Sequence, residues 1–142
     1  MNTIRELLDT KGAEVVTIEP DAMVLDAVRL MAELDIGSVA IVEGGRLIGL
    51  LTERHYARNV VRAGRRSDTT AVREVMSDEL VPVARDATID RCMALMTERR
   101  IRHLPVLDGE RLIGIVSIGD LVRSKLAEQK RTIDELTQYI AN

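Results

Sequence analysis

Two strings in this 142-residue sequence set a hydroxyl three residues ahead of a second polar side chain: Ser117-Ile118-Gly119-Asp120 and Thr52-Glu53-Arg54-His55. Each follows an apolar, β-prone run and opens a helix-prone stretch. A hydroxyl at such a turn, beside free backbone N–H groups at a helix start, suits a phosphate. The two oxygens of Asp120 can accept two hydrogen bonds, which suits the 2′ and 3′ hydroxyls of a ribose. The same residues also suit plain helix capping, with Ser117 as N-cap and Asp120 in the first turn, and both readings stand. His55 takes the place of Asp120 in the other string. A neutral imidazole offers one acceptor and one donor and cannot clamp a diol as a carboxylate can. That string therefore reads as a weaker or altered site, as an anion grip made of Arg54, His55 and Arg58, or as no site.

The two strings are linked by an internal repeat. Residues 16–58 lie over 81–123 at a constant offset of 65 with no gap, and 13 of the 43 pairs are identical. A repeat of this length fixes the architecture before any residue is given a role. Each copy opens with a β-like stretch, residues 15–18 or 80–83, and a turn at Glu19-Pro20-Asp21 or Ala84-Arg85-Asp86. A helix follows. Val24, Ala27, Val28, Met31 and Leu34 share one face, and Ile89, Cys92, Met93 and Met96 repeat it. Thr88 is placed to cap the second of these helices, whereas Met23 at the matching position has no capping group. Two apolar runs then flank Glu43-Gly44-Gly45 or Asp108-Gly109-Glu110, which reads as a β-hairpin. A second helix, near 53–63 and 118–130, closes each unit.

The predicted fold is thus α/β (α+β), with two tandem β-α-β-β-α repeats. Repeat 1 is expected over 8–63, a linker over 64–78, repeat 2 over 79–130 and a helical tail over 131–142. The linker holds a short helix around Val72–Met76, and residues 3–9 form an amphipathic turn or helix. The stretch from Leu121 to Ile140, which runs into that tail, carries Leu126, Ile133, Leu136 and Ile140 among charges. It reads either as a helix packed on its own domain or as a dimer contact.

Composition excludes several classes. Net charge is −3, with none of the basic excess that nucleic-acid backbone requires. There is no Phe, no Trp and only two Tyr (Tyr56 and Tyr139), so the chain almost lacks the rings on which single-stranded nucleic acid is usually stacked. No run approaches the roughly 18 apolar residues of a membrane span, no signal-peptide core is visible, and a lone Cys92 forms no disulfide framework. A cytoplasmic protein without nucleic-acid or membrane partners is expected. Cys92 reads as a buried structural thiol. Two His and one Cys, widely spaced, make no zinc site, and no metal is expected. Neither a P-loop nor a GxGxxG string occurs, and Ser117 has no His–Asp relay in its sequence context. No catalytic residue is assigned. Arg62-Ala63-Gly64-Arg65-Arg66 reads as solvated linker rather than a contact for an anionic partner.

The order of elements, with TERHYAR at 52–58, RIRHLPVLDG at 100–109 and GIVSIGD at 114–120, resembles the CBS-domain family. The pair is similar to a Bateman module, most of all to small stand-alone bacterial CBS proteins. The resemblance implies repeats packed sheet to sheet about a pseudo-two-fold axis. It also implies two clefts that bind adenosine nucleotides (AMP, ADP or ATP, sometimes NAD or S-adenosylmethionine), and modules that pair into homodimers. Such a module senses and does not catalyse; an effector protein reads its state. Carried onto this chain, the resemblance puts phosphate on Ser117 and ribose on Asp120. It also puts basic residues at Arg102 and His103 within reach of phosphate. The other reading of Arg99, Arg100 and Arg102 is a solvated, cation-rich helix end.

With so few rings, aliphatic walls from Ile18, Val39, Val83 and Leu104 are the means left to hold a base. The expected second-repeat site is Val83, Thr88, Arg102, His103, Leu104, Pro105, Ser117 and Asp120. The expected weaker first-repeat site is Ile18, Met23, Ser38, Val39, Thr52, Arg54, His55 and Arg58. Gly37-Ser38, matching Arg102-His103, brings no cation. A second hypothesis keeps the fold but makes the clefts vestigial and the protein a dimeric interaction scaffold.

Overall fold

A computed structural model of the chain describes residues 2–12 and 15–141; Asn142, the end of the expected tail, lies outside the described residues. The elements are α1 (Ile4–Lys11), β1 (Thr17–Ile18), α2 (Val24–Leu34), β2 (Ser38–Glu43), β3 (Arg46–Thr52) and α3 (Glu53–Tyr56). After them come β4 (Val83–Ala84), α4 (Ile89–Arg99), β5 (His103–Asp108), β6 (Arg111–Ser117) and α5 (Ile118–Ala141). The α3 helix runs on as a π-helical turn over Ala57–Val61, and the linker holds a 3-10 turn at Val72–Glu74. Two three-stranded sheets result, in the orders β1-β2-β3 and β4-β5-β6. The mixed α/β class and the doubled unit stand as the repeat requires, but the opening strands are only two residues long.

The chain divides into two units that cut across the repeat. One comprises residues 1–13, 82–108 and 114–142, and the other comprises residues 14–81 and 109–113.

In the second unit, β1 pairs parallel with β2 (Thr17 with Ala40) and β2 pairs antiparallel with β3 (Ser38 with Thr52). Val24, Ala27 and Met31 of α2 are buried with Val39, Ile41 and Leu51 of the sheet. The linker closes this core. Ala71 bridges Met23, Ser77 bridges Leu50, and Val72 and Val75 are buried. Gly49 is where the linker presses on the sheet, since a Cβ there would collide with the Met76 side chain and lie 3.1 Å from the Ser77 carbonyl.

In the first unit α1 does the same for the other sheet. Thr3 bridges Thr88, and the Ile4 and Arg5 N–H groups donate to Ala87 and Arg85. Leu8 lies over Gly114, where an added Cβ would come within 2.7 Å of its Cδ2. β4 pairs parallel with β5, Val83 with Val106. Helices α2 and α4 also end alike. Asp35 (φ 52) and Arg100 (φ 55) adopt the left-handed conformation, and their N–H groups close on Met31 and Met96. Cys92 is buried on α4, as its place on the apolar face requires, and burial raises its thiol pKa.

Candidate functional site: two strand-to-helix turns

The second-repeat turn begins where β6 ends. Ser117 N–H donates to Asp120 Oδ2 at 2.8 Å, and Asp120 N–H donates to Ser117 Oγ at 3.2 Å. Two orphan N–H groups at the start of α5 are satisfied reciprocally, which is a capping box with a carboxylate in the third position. So the capping reading of these residues is realised. The carboxylate does more than cap. Lys11, from the end of α1, donates to Asp120 Oδ2 at 2.6 Å and to the Ile115 carbonyl at 2.8 Å. Arg123, one turn along α5, reaches Asp120 Oδ1 at 2.8 Å. With its side chain 9% exposed, burial alone would raise the Asp120 pKa. The Lys11 ammonium and the Ser117 N–H outweigh burial and hold it below the usual carboxylate range.

The remaining second-repeat residues are placed by the strands. The Arg102 carbonyl accepts from Ile118 N–H at 2.9 Å, so the basic pair Arg102-His103 starts β5 beside the first residue of α5. Leu104 and Pro105 are buried on β5, and Val83 is 8% exposed on β4. Thr88 caps α4 through Arg91 N–H at 3.1 Å. Its backbone lies against Thr3, one α1 length (roughly 12 Å) from Lys11 and Asp120. Ser117, Asp120 and Arg102-His103 are therefore gathered at one turn, whereas Thr88 stands at the far end of α1.

The first-repeat turn has the same backbone and different chemistry. Thr52 N–H donates to His55 Nδ1 at 3.2 Å, and His55 N–H donates to Thr52 Oγ1 at 3.1 Å. The Gly37 carbonyl accepts from Glu53 N–H at 3.1 Å, as Arg102 does from Ile118. An Nδ1 that accepts leaves the ring proton on Nε2, so this cap needs a neutral imidazole. Burial lowers the His55 pKa, Arg54 and Arg58 push the same way, and a hydrogen bond to the Leu50 backbone opposes them. Leu50 is the repeat partner of Ile115. One imidazole thus serves the N–H that Asp120 serves in the other copy, while the Leu50 carbonyl accepts from Ser77 N–H at 2.9 Å. Ser38 and Thr52 are buried and paired across β2 and β3, and Val39 is in the core. Met23 makes no side-chain cap. Arg54 and Arg58 are exposed on the helix. Ile18 pairs with Ile41, three residues up β2 from Ser38, and lines a shallow cavity of about 490 Å³ by Gly44 and Gly45.

Lys11 was not among the expected site residues. It precedes the aligned stretch 16–58 yet serves the second-repeat turn, so a reading of one copy against the other at an offset of 65 passes over it. Among the described residues no three His, Cys, Asp or Glu side chains converge as metal ligands, and no helix is long and apolar enough to cross a membrane.

The paired units, each with a hydroxyl-led cap after its third strand, are those of a tandem CBS pair. The CBS domain profile matches residues 4–62 and 72–127, and the chain belongs to the CBS-domain family. It is similar to a protein with CBS domains from Burkholderia ambifaria that has been assigned to signal transduction. That similarity is 46% identity at a TM-score of 0.85, covering 89% of this chain and 96% of that one. The CBS domain-containing protein YhcV of Bacillus subtilis is 36% identical over 85% of this chain and 86% of its own length. A hexameric CBS-CP12 protein from bloom-forming cyanobacteria is 30% identical with a TM-score of 0.75, covering 84% of this chain and 69% of that one. Proteins built from a CBS pair are generally regulatory or signalling modules.

Proposed function

We propose that this chain is a regulatory, non-catalytic module that binds an adenosine nucleotide (AMP, ADP, ATP or NAD) mainly at the second-repeat turn and signals its occupancy to a partner protein. The observation that carries this reading is the convergence of Lys11 and Arg123 on Asp120, beside Ser117 and next to Arg102-His103. Four basic residues around a helix start favour an anionic ligand. Asp120 supplies the acceptors for a ribose diol, and the Ser117 hydroxyl, Arg102 and His103 take phosphate. Val83, Leu104 and Pro105 form the aliphatic side, with Thr88 as a further polar contact. The first-repeat turn, neutral at His55, is the weaker site, with Arg54 and Arg58 as its cations. A ligand shifts only states that it binds unequally, so the signal requires that Asp120 exchange its internal partners for the sugar.

Isothermal titration with AMP, ADP, ATP and NAD tests the reading. The wild type is expected to bind at least one of them, and Asp120→Ala to lose it. Flat titrations with all four at millimolar ligand would overturn it. One observation favours a second reading, an interaction scaffold without ligand: both Asp120 oxygens already have partners within the chain.

A further inference from the structure

Past Glu128 every described residue of α5 is exposed, so the tail is not packed on its own domain. The first turns are held by buried Leu121 and Ser124, and by Lys125, which reaches Asp90 at 2.6 Å. Arg123 lies within those fixed turns, yet its side chain is 72% exposed. Holding so long and exposed a side chain in one place costs rotamer freedom. Arg123 nevertheless folds back along the helix and donates from Nη2 to Asp120 Oδ1 at 2.8 Å.

Gly119 makes room for it. A Cβ at that position would stand 3.3 Å from Arg123 Nη1, 3.8 Å from Nη2 and 3.6 Å from Ser117 Oγ. The guanidinium therefore lies across the turn, with Nη1 and the Ser117 hydroxyl flanking one point beside Gly119. A guanidinium carries five N–H donors. Among the described residues Asp120 is the only acceptor that Arg123 meets, so its Nη1 edge is unengaged. Gly119 N–H likewise finds no acceptor among the described residues. The other copy lacks this arrangement. Arg54 and Arg58 match Gly119 and Arg123 at the offset of 65. A side chain there stands where the glycine leaves space, and His55 offers no carboxylate to hold a cation.

We propose that Arg123 determines the ligand class of the second-repeat turn: it restricts the site to adenosine that carries a 5′-phosphate, by joining Asp120 to the phosphate on Ser117. Gly119 is the residue that positions it. This inference rests on the nucleotide reading above. Nη2 stays on Asp120 Oδ1 while Nη1 donates to a phosphate oxygen beside Ser117 Oγ, which the planar fork of Arg allows and the point charge of Lys does not. The partner that Asp120 gives up to the sugar is then Lys11. A nucleoside brings no anion to the Nη1 edge and gains nothing from it.

Titration calorimetry of the full chain with adenosine beside AMP, ADP, ATP and NAD tests the proposal. The wild type is expected to bind at least one nucleotide roughly tenfold or more above adenosine, the yield of one charge-assisted hydrogen bond. Arg123→Met is expected to bring that nucleotide within about threefold of adenosine and to leave adenosine itself unchanged. Arg123→Lys keeps part of the preference, because an ammonium still meets a single acceptor. Gly119→Ala lowers it by less than Arg123→Met, since the end of the Arg123 side chain can shift aside. Arg123 is exposed, so its variants are expected to melt with the wild type. A wild type that binds adenosine as tightly as every nucleotide, or an Arg123→Met chain that keeps the full preference or loses adenosine equally, would overturn this inference and leave nucleotide binding in place. Flat titrations with all five would remove the nucleotide reading, and this inference with it.

Discussion

Thr52–His55 and Ser117–Asp120 are the same turn built twice, and the difference between them is one of charge rather than shape. Both close a reciprocal cap with bonds of 2.8 to 3.2 Å. In the first copy a single neutral ring satisfies the turn. In the second a carboxylate does so and then needs cations, which come from α1 and from the next turn of α5. The comparison teaches that the cap does not require a carboxylate. Asp120 costs desolvation that an imidazole in the other copy avoids, and its presence calls for a reason beyond local stability.

Exchanging the two residues is the strongest way to break that contrast. Asp120→His should leave the cap intact, as His55 demonstrates, yet abolish the diol acceptor and strand two cations. Nucleotide affinity is expected to fall by about 100-fold or more with the fold retained. Titration calorimetry beside a thermal melt reads both, and unchanged affinity would show that the carboxylate has no part in binding.

The glycines under the turns come next. A methyl at position 49 meets Met76 and the Ser77 backbone, whereas at 114 it meets only the end of the Leu8 side chain. Gly49→Ala is expected to cost about 1–3 kcal/mol and Gly114→Ala less, because a side-chain tip can move more easily than the linker backbone bridged to β3 at Leu50. Urea unfolding of the two variants side by side decides it, and equal costs would contradict the asymmetry.

A third test uses pH. The folded-state pKa of His55 lies below its unfolded value, so the unfolded chain takes up the proton first as pH falls. The stabilisation is complete above about pH 6.5 and is lost as pH drops through the folded value. Asp120, also depressed, keeps its contribution until the carboxylate range below about pH 4. His55→Gln should therefore flatten the stability profile between about pH 5 and 7 and leave the acid limb unchanged. A profile identical to wild type would remove His55 as its source.

The smallest effect is expected from Lys11→Met. Lys11 is 42% exposed, and screening limits such a pair to about 0.5 kcal/mol at neutral pH. The Asp120 pKa should rise, readable by carboxyl NMR, while that of His55 stays where it is.

Much of this was legible in the sequence. The offset of 65 delivered both hairpins, both amphipathic helices, the Thr88 cap and the missing cap at Met23. Each of these follows from local periodicity or turn chemistry. The reciprocal bonding at Ser117–Asp120 was one of two open readings. Other features depended on contacts distant in sequence. Residues 3–8 and 71–76 (Thr-Ile-Arg-Glu-Leu-Leu and Ala-Val-Arg-Glu-Val-Met) are a further matched pair, but at an offset of 68. The three-residue shift hid them, and with them Lys11. The short β1 and β4 escaped because propensity does not tell a run that pairs for two residues from one that pairs for four. The π-helical turn at Ala57–Val61 has no sequence signal that we can name.

That second matched pair has a kinetic consequence. Helix α1 is the first described element to leave the ribosome, yet its sheet, its Gly114 contact and its Asp120 anchor lie about a hundred residues later in the chain. The intervening segment, 14–81, contains its own sheet and its own linker strap. It can therefore condense while α1 still waits, exposed, for partners not yet made. Closing so long a loop is slow. Helix α1, made before either sheet, is expected to be among the last of the described elements to dock.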